Sequence, residues 1–172
     1  MRRNIMSYKP KGLGHVNIYV RNAERSRAWY EDLLGLHTYD FVPGRAAFMS
    51  ADREYSHEIA LMEVGDEAHS PRAKQVGLNH MAWYMHSLDD LKELYYRIKE
   101  REIPIDHISD HGLSLGIYIK DPDGNGVEVS YELPRSEWGR EESLFMSGGT
   151  EKGRFPGPWD EEMAAQEAAK AK

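Results

Sequence analysis

The strongest constraint on this chain is that it repeats itself. Gly12-Leu13-Gly14-His15-Val16-Asn17-Ile18-Tyr19-Val20 returns as Gly77-Leu78-Asn79-His80-Met81-Ala82-Trp83-Tyr84-Met85, with Gly, Leu, His and Tyr at the same relative positions. A polar start then leads into a helical pattern in both copies, and Tyr30 answers Tyr95. A duplicated unit restricts the fold to an architecture built twice. In residues 14–20, Val16, Ile18 and Val20 fall on one side and His15, Asn17 and Tyr19 on the other, the alternation of a half-buried strand. Each copy thus carries one histidine on the polar side of its first strand.

The rest of each copy reads the same way. Asn22 can cap a helix over Ala23–Leu34, with Ala28, Trp29, Leu33 and Leu34 as apolar contacts and Gly35 at its C-terminus. Strands are expected near 36–42, 45–51 and 57–63, with a turn at Pro43-Gly44 and a linker over 64–76. In the second copy a strand near 79–85 precedes a helix opened by Ser87 and Asp90. Its stripe is Leu88, Leu91, Leu94, Tyr95 and Ile98, and Pro104 closes the helical region. Strands near 105–109, 113–120 and 126–132 follow, the last two joined by Asp121-Pro122-Asp123-Gly124-Asn125-Gly126. The expected fold is α+β, with paired βαβββ modules at about 12–63 and 77–132 in one domain, 1–135, followed by an extension over 136–172. The sheets are expected to curl around a shared metal pocket with the helices outside, so that both histidines face the pocket.

Composition narrows the partners. The 172 residues carry 22 basic and 29 acidic side chains, net −7, which argues against nucleic acid. With no cysteine, any metal must be held by His, Asp or Glu. No apolar run approaches membrane length and the N-terminus has no signal-peptide pattern, so a soluble cytoplasmic protein with no membrane partner is expected. Phe155-Pro156-Gly157-Pro158-Trp159 carries two aromatics outside the paired units, suited to an oligomer contact or to docking on the chain's own body. A homo-oligomer is the expectation, and a polar helix is expected over 159–170.

A lone strand histidine is more often a satisfied core residue than a ligand. Two at the same repeat position, His15 and His80, reverse that preference, since imidazole is the commonest metal ligand. Glu128 lies opposite the apolar face of Val127, Val129 and Tyr131. A carboxylate facing a cavity is costly unless paired or metal-bound. Two histidines and one carboxylate form a facial set with open positions, which suits Fe(II), with Mn(II) as the alternative.

The paired units, the strand histidines and the run Asp121-Pro122-Asp123-Gly124-Asn125-Gly126-Val127-Glu128 resemble the vicinal oxygen chelate superfamily over about residues 10–135. Three further features resemble its one-domain type I extradiol catechol dioxygenases. Ala60 stands where the glyoxalase and epimerase branches carry a fourth ligand, a glutamate. Ser56-His57-Glu58-Ile59-Ala60-Leu61 is similar to the segment whose histidine is the dioxygenase acid/base. His111 and Tyr118 are similar to the pair that bonds the catechol, although their connection is shorter than in the family. The resemblance implies metal ligands His15, His80 and Glu128, catalytic His57, Tyr118 and His111, and Fe(II)-dependent ring opening of a small aromatic diol with O₂. Asn17, Tyr19, Phe48 and Tyr84 are candidates to line the pocket. The rival readings are a thiol transferase like the fosfomycin-resistance proteins, a glyoxalase-like lyase or isomerase, and a metal-free small-molecule binder.

Overall fold

A computed structural model describes residues 9–138 and 159–170. The chain divides into two compact units, residues 1–68 and 69–172. The first holds β1 (Val16–Val20), α1 (Ala23–Leu34), β2 (His37–Val42), β3 (Ala46–Ser50) and β4 (Ile59–Glu63). The second holds β5 (Met81–Tyr84), α2 (Leu88–Glu100), β6 (Ile105–Asp110), β7 (Ser114–Lys120), β8 (Gly126–Glu132) and α3 (Trp159–Lys170). Both modules of the expected α+β, βαβββ architecture are present. The four-stranded sheets run β1-β4-β3-β2 and β5-β8-β7-β6, so the first and last strands of each module are neighbours. Those two strands pair in parallel, and the other pairs are antiparallel.

Local chemistry explains where α1 starts and stops. The Asn22 side chain accepts from the Arg25 backbone N–H at 2.8 Å, while Glu63 Oε2 accepts from Ala23 N–H at 2.9 Å. Gly35, at φ 68°, supplies the left-handed residue that ends the helix. The buried stripe is Ala23, Ser26, Tyr30 and Leu33. This corrects the expected contact set, because Ala28 is exposed and Trp29 only half-buried. Ser26, small enough to sit against the sheet, takes the inward position that its polarity disguised. Helix α2 follows expectation except at Leu88, which is exposed in its first turn: Ser87 caps Asp90 N–H at 3.1 Å and Leu91, Leu94, Tyr95 and Ile98 are buried. Tyr30 and Tyr95, the repeat partners, are both buried. α1 packs on β2, β3 and β4, and α2 packs on β8. One face of each sheet is therefore apolar and helix-covered, through residues such as Ile18, Val20, Ile59 and Leu61 or Ile117, Ile119, Val127 and Val129. The polar residues of the same strands lie on the opposite face.

The C-terminal helix docks on the body of its own unit. Trp159 is buried, with its ring 5.5 Å from that of Tyr95. The Tyr95 hydroxyl donates to Asp160 Oδ1 at 2.8 Å, and Lys92 pairs with Glu162. Phe155, the other aromatic of that tail, lies outside the described residues. No helix among the described residues is long and apolar enough to cross a membrane.

Gly126 is needed for close approach. A Cβ there would meet the Asn79 carbonyl oxygen at 2.4 Å and His80 Cα at 3.1 Å. Gly126→Ala should therefore push β8 off β5 and lower stability by about 1–3 kcal/mol, read by thermal denaturation. Burial, and then Asp160, push the Tyr95 phenol up to about 12. A raised folded-state pKa gives stability that is complete below the ordinary phenol range near ~10 and is lost as pH rises through the raised value. Alkaline melts up to pH ~12 should show this loss in the wild type and not in Tyr95→Phe.

Candidate active site

The parallel β5–β8 pairing sets Met81 against Val127 and Ala82 against Glu128. His80 stands one residue before the ladder begins, so it flanks rather than enters the strand expected from sequence. Its neighbour across the pair is Gly126, which presents no side chain, and the imidazole is free to reach toward Glu128. His80 Nε2 lies 3.0 Å from Glu128 Oε2. Glu128 is 8% exposed. Room for its carboxylate exists because Gly116 on β7 has no Cβ; one placed there would come within 2.7 Å of Glu128 Oε1.

His80 Nδ1 lies 2.7 Å from the Asn79 side-chain oxygen. A proton donated from Nδ1 to that oxygen leaves Nε2 as the ring's lone-pair atom. A lone pair and a carboxylate oxygen then face each other at 3.0 Å, which only a positive charge between them satisfies: a second ring proton or a shared cation. Two donors, each about 2.0–2.2 Å from one ion and roughly at right angles, would stand about 3 Å apart. The pair therefore fits a divalent metal.

Tyr118 and His111 gather at the same place. The Tyr118 hydroxyl is hydrogen-bonded to Glu128; burial first, and then that carboxylate, push the phenol well above its usual range. It remains a neutral donor throughout the physiological pH range. His111 Nε2 lies 3.4 Å from the Tyr118 oxygen. The short connection between the two is a tight β6–β7 turn. His111 N–H donates to Ser114 O at 2.9 Å, Gly112 takes φ 78°, and its N–H donates to Asp110 Oδ1 at 2.8 Å. Two contacts were not legible in sequence: the ring of His107 stacks on Tyr118, and the ring of His80 lies perpendicular to the same phenol. A pocket of about 320 Å³ opens over these groups; Tyr84, Ser130 and Glu132 line it further along. Of the four lining candidates, Tyr84 is in this pocket.

Upstream, Asp121 fixes the start of β8. Its Oδ1 accepts from Asp123 N–H at 2.9 Å and Asn125 N–H at 2.8 Å, and its Oδ2 accepts from Asn125 Nδ2 at 2.9 Å. Burial raises this carboxyl's pKa while those hydrogen bonds pull it down.

In the first unit, His15 and His57 come together, with ring centroids 4.3 Å apart, and Phe48 meets His57 edge-on at 5.5 Å. Asn17 and Tyr19 are exposed on β1. Glu58 anchors the loop that delivers His57. Its Oε2 accepts from Ser50 Oγ and from Ala51 N–H, each at 2.9 Å. Ala60 pairs with Asn17 in the β1–β4 ladder as Glu128 pairs with Ala82 in β5–β8. Asn17 and Ala82 are repeat partners, so Ala60 occupies the slot that Glu128 fills in the other module. The sequence-predicted ligand set is thus divided, with His15 in the first unit and His80 and Glu128 in the second. Among the described residues no three His, Asp or Glu side chains gather as a metal-holding group.

A family model described as the glyoxalase/bleomycin resistance protein/dioxygenase superfamily matches residues 12–129. A catechol-2,3-dioxygenase of Bacillus subtilis is 31% identical over 130 residues, 75% of this chain; the chain spans only 44% of that relative's length. A biphenyl-2,3-diol 1,2-dioxygenase of Rhodococcus globerulus is 29% identical over 167 residues, 96% of this chain and 85% of the relative. Among solved structures, a lactoylglutathione lyase of Agrobacterium tumefaciens matches with a TM-score of 0.57 at 26% identity, covering 72% of this chain and 96% of that one.

Gly116 offers a test of the Glu128 seat. Gly116→Ala should displace the carboxylate and lower divalent-metal uptake at least tenfold, read by elemental analysis after dialysis. The fold should persist, because the clash is with a movable side-chain end, and circular dichroism would check this.

Proposed function

This chain belongs to the glyoxalase/bleomycin resistance protein/dioxygenase superfamily, and we propose that within it the chain is an extradiol ring-cleavage dioxygenase. Its substrates would be a small catechol-type diol and O₂; the carbon–carbon bond beside the diol would break and both oxygen atoms would enter the product. The observation that carries this reading is the clustering of Tyr118 and His111 around the carboxylate of the His80–Glu128 pair. A metal enzyme that only polarised a carbonyl would not need a neutral phenol and a further imidazole there. Ala60, in the register slot of Glu128, supports a set of three protein ligands with coordination positions left for substrate.

His15, His80 and Glu128 would hold Fe(II), or alternatively Mn(II). The bound ion would act as a Lewis acid that lowers the pKa of the diol and as a relay for electrons between diol and oxygen. Asn79 keeps the His80 proton on Nδ1 and so leaves Nε2 available as a ligand. Tyr118, neutral throughout the working pH range, would turn its single O–H from the Glu128 carboxylate to the ionised substrate oxygen, with His111 Nε2 3.4 Å from the same phenol oxygen. His57 exchanges a proton with the reacting oxygen, a role for which imidazole is matched to neutral pH.

Anaerobic addition of Fe(II) and a panel of catechols, followed by air, should give the yellow absorbance of a ring-opened product. No colour with any catechol, from protein that has taken up iron, would sink the ring-cleavage reading. His57→Ala should keep iron content and catechol affinity but slow turnover by about 10²–10⁴-fold, read by steady-state kinetics beside elemental analysis. His15→Ala should lose metal and activity together.

A further inference from the structure

His107 has no part in the proposed chemistry, although its ring lies against that of Tyr118, a residue that lines the second unit's pocket. It sits on β6 directly across the ladder from Tyr118 on β7. The two rings are nearly parallel, 11° between planes, with centroids 4.0 Å apart. The register shifts between Ile105 and His107, an irregularity of the kind that re-aims a side chain at the edge of a sheet. His80 closes against the same phenol at 89°, centroids 5.4 Å apart. One face of the Tyr118 ring is thus covered by His107 and another side by His80, while its oxygen is held by Glu128 and faces His111.

We infer that His107 is a positioning residue for Tyr118: its ring, stacked on the phenol, holds the Tyr118 hydroxyl over the Glu128 carboxylate and within reach of His111. The physical reason is rotameric. The phenol oxygen lies at the end of a long side chain, and a change in χ1 swings it by several ångströms. A parallel ring against one face blocks that swing without consuming the hydroxyl's hydrogen bonds. An exposed histidine performs this at the edge of the sheet, where a larger apolar ring would add to the exposed hydrophobic surface.

The inference concerns the geometry of Tyr118, and its kinetic consequence rests on the ring-cleavage reading, so the two are tested separately in the full-length chain. The first arm is tyrosine-selective ¹³C NMR, with the Tyr118 signal assigned by its loss in Tyr118→Phe. His107→Ala should shift and broaden that signal as the ring-current partner disappears, and His107→Phe should restore a single sharp upfield line. The second arm is steady-state kinetics on whichever catechol turns over. His107→Ala should lower kcat about tenfold with KM changed less than threefold, and His107→Phe should recover kcat to within about threefold of wild type. An unchanged Tyr118 signal in His107→Ala would overturn the inference, as would equal losses in the Ala and Phe variants, which would assign the effect to the imidazole nitrogens. Should no catechol turn over, the ring-cleavage reading falls, and the NMR arm alone still decides whether His107 holds the tyrosine.

Discussion

Each module depends on one pairing: its first strand lies parallel to its last, with the intervening strands stacked outward from the last. A parallel pair cannot be closed by a tight turn, so the chain must cross over through a helix and two further strands before returning. This crossover makes residues far apart in sequence into neighbours. It sets His80 beside Glu128 and Asn17 beside Ala60, and it buries one face of the sheet under the helix while leaving the other polar. The pair tolerates little variation where the chemistry sits. Gly126 allows the backbones to approach at the foot of the ladder, and Gly116 leaves the space that the carboxylate occupies.

The polar face is organised by satisfied hydrogen bonds more than by charge. Asn79 orients His80, Glu128 engages both His80 and Tyr118, and Asp121 ties the turn that launches β8. Burying a carboxylate such as Glu128 is unfavourable without compensation, and two partners supply it. In the first unit Glu58 does comparable work at a distance, accepting backbone and hydroxyl protons so that the loop before β4 presents His57 against His15. These hydrogen bonds fix the loop, and with it the place of the His57 ring.

Much of this was legible in the residues. The duplication, the ends of α1 at Asn22 and Gly35, the stripe of α2 and the inward set of β8 all follow from local chemistry that leaves a mark at fixed spacing. The sharing of one site by Glu128, Tyr118 and His111 was legible only through family likeness. What could not be read was cross-strand. His107 sits in an unremarkable stretch of β6, and its partner is fixed by a register shift that no local pattern encodes. The same limit hides Ser26: hydropathy points to Ala28, but where the helix packs on the sheet small size matters more, and Ser26 is the buried residue. Glycine within a strand was the available clue to Gly116, since a missing side chain there points to something that must come close.

The exchange of Glu128 for Ala60 between otherwise matching slots has an evolutionary corollary. Ala60 is buried and in register, but Ala46 stands in the first module where Gly116 makes room for the carboxylate in the second, so the slot at β4 is sized for a small side chain. Two modules copied from one ancestor can therefore drift apart in how many donors they offer without any change of backbone. A lineage on this scaffold could shed an acidic arm in one mutational step, whereas gaining one at β4 would call for a second change, to glycine at Ala46.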